Sequence, residues 1–454
     1  MVVEGWLDRA AKARGAHTAL HTPTGSWSYA ELLHAARSGA NELGERGVLP
    51  GHRVAIALPA GLGFAQALHA CLLLGAVAMP MDPRSSASER ARIADGAEVF
   101  LEAPLDVPSG LEGGVGDGGD PPGGARAGGV EHDLGSTAVV IHTSGTTSSP
   151  RPVELTYGNV LWSALGSAVA LGLDSEERWL CALPPSHVGG LSILLRSAIY
   201  ATTAVVHARF DTARVLHALR DEQITIVSLV ATTLARLLDA GLTAPPSLRL
   251  ALTGGGPVPR ALLQRARAAG VPVGATYGLT EASSQVTTTP LAAIGEEGES
   301  AGPPLFCTRV RIGADGEILV QGPTVAPGAV AADGWLHTGD LGSLDDDGRL
   351  LVRGRKGETI ITGGENVAPA EVEAVLEEHP EVLEAAVLGR SDPEWGEVVT
   401  AIVVTRPDSM IEAEVLRAHC ARVLARYKVP KHVVLAQEPL ARTPSGKLLR
   451  RELG

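Results

Sequence analysis

A run of hydroxyl-bearing side chains follows a β-branched stretch in the first third of the chain. The segment reads IHTSGTTSSP from Ile141 to Pro150, and five of its six residues from Thr143 to Ser148 carry a hydroxyl. The glycine would let backbone N–H groups approach an anion closely, and an arginine adds positive charge just beyond. The composition indicates a phosphate-binding loop built from Thr143, Ser144, Gly145, Thr146, Thr147 and Arg151. It differs from a Walker A loop, which needs GxxxxGK before Ser or Thr, and an ordinary Ser/Thr-rich turn is the alternative.

A hydroxyl and a carboxylate stand side by side in the segment ATYGLTEASS, which begins at Ala275. A short apolar run predicts a strand that enters a turn at Gly278, after which Thr280 and Glu281 are adjacent. Mg²⁺ prefers a few hard oxygens together with phosphates, so this pair suits a magnesium–triphosphate. The alternative is a routine helix start, since Thr is a common N-cap residue.

A lone aspartate lies in the segment GWLHTGDLG, at Asp340, where we expect a strand to break. Its carboxylate could accept hydrogen bonds from two ribose hydroxyls, and a turn aspartate is the alternative reading. The acidic run Asp345–Asp347 followed by Gly348 lacks the spaced ligands of an EF-hand. It predicts a hairpin turn between Leu344 and Leu350.

A lysine is presented near the end of the chain by the segment TPSGKLLRR. Pro444 and Gly446 predict a tight turn that would hold Lys447 as a point charge for a phosphoryl oxygen. A solvated basic tail is the alternative. Metal and serine hydrolases are disfavoured, because no HExxH occurs and the one GxSxG string, which begins at Gly298, is followed by two prolines.

Strand and helix patterns alternate through the first three quarters of the chain. Apolar or β-branched runs predict strands at Arg53–Leu58, Ala76–Pro80, Ala138–His142, Trp179–Leu183, Thr203–His207 and Ile224–Leu229. Helical patterns lie between several of them, at Phe64–Leu74, Asp211–Arg220 and Thr232–Ala240. The alternation predicts an α/β fold whose large N-terminal domain packs mixed or parallel sheets with helices.

The last hundred residues form a separate pattern after RGRKG, so we predict domains 1–354 and 355–454. Strands are expected at Glu358–Thr362, Ala385–Leu388 and Val398–Val404, and helices at 369–378 and 411–425, giving a small α+β domain. Residues 107–130 include ten glycines from Gly110 to Gly129. Such a segment buries too little apolar surface to offset its ordering entropy, so a flexible loop is expected.

Bulk properties exclude several kinds of partner. The formal charge is −13 and the pI is near 5.6, which disfavours wholesale binding to nucleic acid or anionic membranes. The N-terminus is charged where a signal peptide would be apolar, so we expect a cytoplasmic protein. The cysteines form no CxxC and are expected to be buried small hydrophobes: Cys71, Cys181, Cys307 and Cys420.

Taken in order, these segments resemble the adenylate-forming superfamily of acyl-CoA synthetases, peptide-synthetase adenylation domains and luciferases. The resemblance runs along nearly the whole chain through TSGTT, YGLTE, WLHTGDLG, GRKGETIITGGENVAPAEVE and PSGK. It implies an enzyme that uses ATP, Mg²⁺ and coenzyme A to activate a carboxylic acid as an acyl-adenylate. It also implies a small C-terminal domain that moves between the two half-reactions.

Residue by residue, the resemblance implies that the hydroxyl-rich loop and Arg151 hold the β- and γ-phosphates. The adenine would lie against Gly254, Gly255, Gly256 and Tyr277, close to Gly278. Thr280 would contact the α-phosphate and Glu281 would ligate Mg²⁺, while Asp340 and Arg355 would hold the ribose. Lys447 would bridge the carboxylate and the α-phosphate. The pivot would lie at Lys356–Gly357, and the Gly363–Gly364 loop would reach the thiol tunnel.

Within the superfamily, the stretch SHVGGLSILLRS and the later EASSQVTT are similar to the ligases that act on 2-succinylbenzoate in menaquinone biosynthesis. The resemblance places His187, Arg196 and Ser284 at the acid site. Arg196 could pair with the carboxylate that does not react, and a helix-surface or inter-helix salt bridge is the alternative. His187 would lie at the acid pocket or at the wall of the thiol tunnel, or else in the core.

The phosphate loop departs from the family pattern. Ser148 stands where a third glycine is usual, and Arg151-Pro152 stand where Lys-Gly is usual. A non-catalytic relative that binds an adenylate or an acyl-CoA is therefore an alternative, as are another aryl- or fatty-acid–CoA ligase and a stand-alone adenylation enzyme. The sequence leaves the native acid open, and a homo-oligomer is possible.

Overall fold

The computed structural model describes residues 1–111, 130–143, 151–295, 300–442 and 448–453. Within these ranges, sheets and helices are layered as the α/β class predicts, in a large N-terminal part and a smaller C-terminal part. The helices are α1 (Trp6–Arg14), α2 (Tyr29–Glu45), α3 (Leu62–Leu74), α4 (Ala87–Ile93), α5 (Tyr157–Leu171), α6 (Val188–Tyr200), α7 (Thr212–Asp221), α8 (Ala231–Asp239), α9 (Arg260–Ala268), α10 (Pro369–Glu377) and α11 (Ala413–Ala421).

A five-stranded sheet with the order β6–β4–β5–β8–β9 forms one layer of the large part. Its strands are β4 (Arg53–Ile56), β5 (Val77–Pro80), β6 (Val99–Leu101), β8 (Thr137–Thr143) and β9 (Arg151–Thr156). Neighbours pair in parallel except β8 and β9, which pair antiparallel. Every residue of β5 is buried, which explains its uninterrupted apolar sequence.

An eight-stranded sheet with the order β15–β14–β13–β12–β10–β11–β2–β3 forms the second layer. Its strands are β2 (Thr18–Thr22), β3 (Gly25–Ser28), β10 (Arg178–Cys181), β11 (Thr203–Val206), β12 (Ile226–Leu229), β13 (Leu250–Thr253), β14 (Val273–Leu279) and β15 (Ser284–Thr288). The pairings from β14 through to β2 are parallel, and only the two edge pairs are antiparallel. The carboxyl ends of the parallel strands therefore meet at one edge of the sheet.

Two smaller antiparallel assemblies complete the large part. The N-terminal strand β1 (Val2–Glu4) pairs antiparallel with β7 (Glu131–Asp133). A four-stranded meander contains β16 (Arg309–Ile312), β17 (Glu317–Gln321), β18 (Leu336–Leu344) and β19 (Leu350–Arg355). Leu344 pairs with Leu350, so the predicted hairpin turn at Asp345–Gly348 is confirmed.

A separate five-stranded sheet follows, with its own apolar core. Its strands are β20 (Ile360–Thr362), β21 (Glu365–Val367), β22 (Val382–Asp392), β23 (Gly396–Thr405) and β24 (His432–Ala436). Alternate residues of β23, among them Val399, Ala401 and Val403, pack against residues of α10 and α11. Between the meander and this sheet lies a single 3-10 turn, Lys356–Glu358. The boundary between residues 354 and 355 stays a prediction.

Three local predictions were wrong. Gly278 is not in a turn, because β14 continues to Leu279 and only a bulge separates Tyr277 from Gly278. Asp340 does not mark a broken strand but lies inside β18. The strand expected from Glu358 begins at Ile360, after the 3-10 turn. The first two errors have the same cause: a glycine suggests a turn in a sequence, but cross-strand pairing decides where a strand ends. The third is an error of two residues in the start of a strand.

Three of the four cysteines are buried, as expected, and Cys307 is only partly buried. Of the segment 107–130, only Val107–Leu111 and Val130 are described. Among the residues that the structure describes, no helix combines the length and the apolar character needed to cross a membrane.

Candidate active site

Three predicted nucleotide-site residues meet at the junction of the eight-stranded sheet and the meander. Asp340 is buried, and its Oδ1 lies 2.9 Å from the Nε atom of Arg355, its cross-strand partner. The hydroxyl of Tyr277, from β14, donates to Asp340 Oδ2 at 2.8 Å. Burial, and then the neighbouring carboxylate, raise the pKa of Tyr277 far above its usual value, so this phenol remains a donor.

The glycines after β13 lie against the same strand as Tyr277. A Cβ atom at Gly254 would lie 2.8 Å from Thr276 Cγ2 and 3.0 Å from Thr276 O, so only glycine fits without a shift. Gly255 has φ +80°, in the left-handed region that favours glycine. Gly256 follows with no atom within 4 Å of a Cβ placed there, so the backbone is open at this position.

The reversal from β14 to β15 carries Thr280 and Glu281 in a 3-10 turn, Thr280–Ala282. In this reversal the backbone at Gly278 lies very close to the backbone at Ser284, because a Cβ at Gly278 would stand 1.7 Å from Ser284 O. Ser283 and Ser284 have positive φ values of 54° and 94°. Both Thr280 and Glu281 are half-buried, and within the described ranges Glu281 forms no ion pair. The turn thus holds a carboxylate that is available to a cation.

Arg196 is a cation inside the protein core. It lies on α6, its residue is 2% exposed, and the described residues offer it no carboxylate partner. Its guanidinium donates to Ser163 Oγ at 3.0 Å, stands 5.6 Å from the centre of the Trp179 ring, and has no partner for Nε. Burial disfavours an isolated cation here and so lowers the pKa of Arg196 from its ordinary value. The alternative of a surface residue or an inter-helix salt bridge is therefore wrong.

A small apolar cavity adjoins this guanidinium, between α5, α6 and strands β8 and β9. Its lining includes Ser163, Leu191, Ser192, Arg196 and Ser283. The Ser163 hydroxyl donates to Ser283 O at 2.5 Å while it accepts from Arg196, so it joins the arginine to the strained reversal after Glu281. Sequence reasoning missed Ser163 and Ser283, because nothing in their local pattern marks them.

The other two predicted acid-site residues lie near this cavity but do not line it. Ser284 is half-buried and pairs with Leu279 across the reversal. His187 is the N-cap residue of α6, and burial lowers its pKa, so the imidazole is neutral near pH 7.

Only the two ends of the phosphate loop are described. Thr143 and Arg151 are cross-strand partners at the open end of β8 and β9, and Thr143 Oγ1 donates to Arg151 O at 3.3 Å. The intervening residues Ser144, Gly145, Thr146, Thr147 and Ser148 lie outside the described residues, as does Lys447.

Two ion pairs attach the predicted pivot to the meander, one with an exposed carboxylate and one with a buried carboxylate. Lys356 Nζ lies 2.6 Å from Asp315 Oδ2 and 3.4 Å from Glu317 Oε2, and Gly357 follows it in the 3-10 turn. Beyond the pivot, Gly363 and Gly364 join β20 to β21 with φ values of +57° and +85°. A Cβ at Gly363 would lie 2.7 Å from the Trp395 ring, so this loop packs directly on that indole.

No cluster of three or more His, Cys, Asp or Glu residues that could hold a metal ion occurs in the part of the chain that the structure describes. A single carboxylate at Glu281 is nevertheless sufficient for Mg²⁺ that arrives with phosphates, because that ion keeps most of its ligands from the phosphates and water. The arrangement can thus hold a ribose, a metal–phosphate group and an anion beside a buried arginine.

Comparison with known proteins agrees with this geometry. Residues 7–329 match the family model of AMP-binding enzymes, and residues 371–447 match that of the AMP-binding enzyme C-terminal domain. The chain is 39% identical to the 2-succinylbenzoate–CoA ligase of Bacillus licheniformis, over 99% of this chain and 98% of that protein.

Two solved structures extend the likeness to three dimensions. The o-succinylbenzoate CoA synthetase of Bacillus subtilis, in complex with its acyl-adenylate intermediate, matches with a TM-score of 0.88 and 36% identity, over 100% of this chain and 98% of that one. The complex of that synthetase with ATP and magnesium ion matches with a TM-score of 0.87 and 34% identity, over 100% of both chains.

Proposed function

Since this chain belongs to the family of AMP-binding enzymes, we propose that it ligates 2-succinylbenzoate to coenzyme A at the expense of ATP. In the first half-reaction a carboxylate oxygen of the acid attacks the α-phosphorus of ATP, and pyrophosphate leaves. In the second, the sulfur of coenzyme A attacks the acyl carbon, the thiol proton is lost, and AMP leaves. Activation replaces a poor leaving group with AMP before the thiol arrives.

The observation that carries the choice of acid is the buried guanidinium of Arg196. A buried cation is strongly unfavourable unless an anion compensates it, and no carboxylate of the described residues does so. 2-Succinylbenzoate has two carboxylates, of which one reacts and one remains. The cavity beside Arg196 has a volume of about 10 Å³, room for one water molecule. The side chains that line it would therefore have to move apart for the remaining carboxylate to pair with Arg196.

The nucleotide would be held by the residues already described. Asp340 would accept from the ribose hydroxyls, with Arg355 and Tyr277 fixing its two oxygens in place. The adenine would lie against the backbone at Gly254–Gly256, which carries no side chains. Thr280 would donate to the α-phosphate, and Glu281 would ligate Mg²⁺, which neutralises charge on the departing pyrophosphate.

The phosphate loop with Arg151 would hold the β- and γ-phosphates, and Lys447 would stabilise the charge that develops between the carboxylate and the α-phosphate. Rotation at Lys356–Gly357 would then withdraw Lys447 and bring Gly363–Gly364 to the thiol. These roles rest on matching positions in the family motifs. The cytoplasmic location and a homo-oligomeric state also remain predictions.

The test is ATP-dependent CoA consumption and pyrophosphate release with 2-succinylbenzoate, benzoate, a medium-chain fatty acid and no acid. Selective turnover of 2-succinylbenzoate is expected. Turnover of a different acid alone would refute the substrate and keep the reaction. Absence of pyrophosphate with every acid would favour a non-catalytic adenylate-binding protein, for which the altered phosphate loop is the one supporting observation.

A further inference from the structure

Glu317 is a buried carboxylate that contacts the segment carrying Asp340. It lies at the start of β17, its residue is 7% exposed, and its two oxygens have different partners. Oε1 accepts from the backbone N–H of Gly339 at 2.8 Å, while Oε2 lies 3.4 Å from His337 Nδ1 and 3.4 Å from Lys356 Nζ. Burial disfavours ionisation, but these neighbours outweigh it and hold the pKa of Glu317 below its usual value, so the carboxylate is charged at neutral pH.

The ladder between β17 and β18 is irregular at the position of Asp340. Leu319 of β17 pairs with His337 of β18. The next pair along the ladder joins Glu317 to Leu341, so one residue of β17 lies opposite three of β18, Thr338–Asp340. A bulge of this kind bends the strand and changes the direction of its side chains, and bulges are common beside active sites. The conformation of the bulge therefore decides where the Asp340 carboxylate points.

Two side chains accept hydrogen bonds from the backbone of this bulge. Gly339 has φ +71°, in the left-handed region that favours glycine, and its N–H donates to Glu317. The N–H of Asp340 donates to Thr338 Oγ1 at 3.1 Å, and the Thr338 hydroxyl donates to Ile318 O at 2.8 Å. Loss of the Glu317 carboxylate would leave the Gly339 N–H without its acceptor, and the backbone next to Asp340 would then be free to change conformation.

From this geometry we infer that Glu317 is a positioning residue for the nucleotide: its carboxylate holds the bulge of β18 in the conformation that presents Asp340 to the ribose hydroxyls. The inference rests on the proposed function, because it needs Asp340 at the ribose. Glu317 would act through the backbone of Gly339 without touching the substrate. Loss of the contact with Lys356 would affect the predicted pivot instead, so the test has to separate the two contacts.

The test measures pyrophosphate release with ATP and with 2′,3′-dideoxy-ATP, which lacks both ribose hydroxyls. The ratio of kcat/KM for the two nucleotides reports on the ribose contact, and a general loss of folded enzyme cancels from it. Glu317→Asp keeps the charge but shortens the side chain, so it should lower this preference for ATP roughly five- to tenfold. Glu317→Gln loses the charge but keeps an oxygen that can accept from Gly339, so it should retain the preference.

Two further variants complete the test. Asp315→Asn removes the other carboxylate beside Lys356 and keeps an acceptor for the backbone N–H of Glu317, so this control should retain the preference for ATP. In an Asp340→Ala background, Glu317→Asp should change the preference by less than about twofold, because two residues that act through one contact are not additive.

The outcomes separate this inference from the proposed function. An unchanged preference in Glu317→Asp, with the preference lost in Asp340→Ala, would overturn the inference alone. Loss of the preference in Glu317→Gln but not in Glu317→Asp would also overturn it, because the charge and not the hydrogen bond to Gly339 would then matter. An unchanged preference in Asp340→Ala would instead overturn the proposed ribose site, and the inference with it.

Discussion

Asp340 and Arg355 face each other across the ladder of β18 and β19, joined by an ion pair of 2.9 Å. The ladder ends at Arg355, and the next residue, Lys356, begins the 3-10 turn of the predicted pivot. The carboxylate proposed to hold the ribose is therefore fixed by the last residue before the chain leaves the meander. The proposed ribose site and the predicted pivot therefore share one structural element.

Asp340→Ala should raise the KM for ATP by roughly 10- to 100-fold, the loss expected for charge-assisted hydrogen bonds to a buried group. Tyr277 and Arg355 would also lose their common acceptor. Initial rates of pyrophosphate release at varied ATP measure the effect. Asp347→Ala, in the exposed hairpin turn of the same two strands, is the control, and an equal change in both variants would remove Asp340 from the ribose site.

Arg196→Met should raise the KM for 2-succinylbenzoate by roughly 10- to 100-fold and leave that for benzoate unchanged, because only the dicarboxylate retains a second charge. Replacing an uncompensated buried cation by an apolar side chain of similar length should not lower the free energy of unfolding. Urea denaturation measures this second quantity. Loss of stability together with an equal rise in both KM values would indicate a purely structural arginine.

Lys447→Ala should slow adenylation by roughly two to three orders of magnitude, as expected when a group that stabilises developing charge is lost. Thioester formation from supplied acyl-AMP and coenzyme A should persist, because the proposed rotation removes this lysine from the site. Rapid-quench assays of each half-reaction provide the measurement. Equal loss of both half-reactions contradicts the assigned role.

Gly278→Ala should destabilise the fold by about 1–3 kcal/mol and abolish pyrophosphate release, because the new Cβ would stand 1.7 Å from Ser284 O. The reversal that carries Thr280 and Glu281 cannot accommodate it without moving. Gly44→Ala is the matched control, since a Cβ there has no neighbour within 4 Å and α2 should be slightly stabilised. Comparable stability of the two variants in urea would contradict this prediction, because it would show that the reversal can shift to accept the Cβ.

Glu377 should make the protein less stable as the pH rises through the weakly acidic range. Burial raises the pKa of its carboxyl to about 7, from 4.5 for a free side chain. Between these values the folded protein keeps a proton that the unfolded chain releases, so the free energy of unfolding falls with rising pH. Glu377→Gln should make the free energy of unfolding less dependent on pH. Above pH 7 the variant should become more stable relative to the unaltered protein. Parallel pH profiles of urea midpoints would contradict this.

The sequence predicted the α/β class and most strands because their signals are local. The parallel strands appear as short apolar runs, and the predicted helix at Phe64–Leu74 is found at Leu62–Leu74. Motif order likewise indicated the nucleotide residues. The ion pair of Asp340 with Arg355 was not predictable, because it depends on the register of a hairpin that spans fourteen intervening residues.

The acid site was harder to predict because it is assembled from distant segments. Ser163 on α5, Arg196 on α6 and Ser283 after β14 are brought together by helix packing and a backbone reversal. Nothing local distinguishes a helical arginine in a core from one on a surface. Family resemblance named Arg196, and the structure shows that it is buried with no anionic neighbour among the described residues.

The ion pairs of Lys356 with Asp315 and Glu317 also affect when the C-terminal part can move between the two proposed half-reactions. Both side chains of the Lys356–Asp315 pair are about half exposed. Exposed ion pairs contribute roughly 1 kcal/mol or less to stability, and this contribution decreases as the salt concentration rises. Thermal energy at ordinary ionic strength is then enough to break the Lys356–Asp315 pair many times in each catalytic cycle, which leaves only the longer contact of 3.4 Å with Glu317. The alternation between the two half-reactions would accordingly be gated by the arrival of ligands, with the hinge itself offering little resistance.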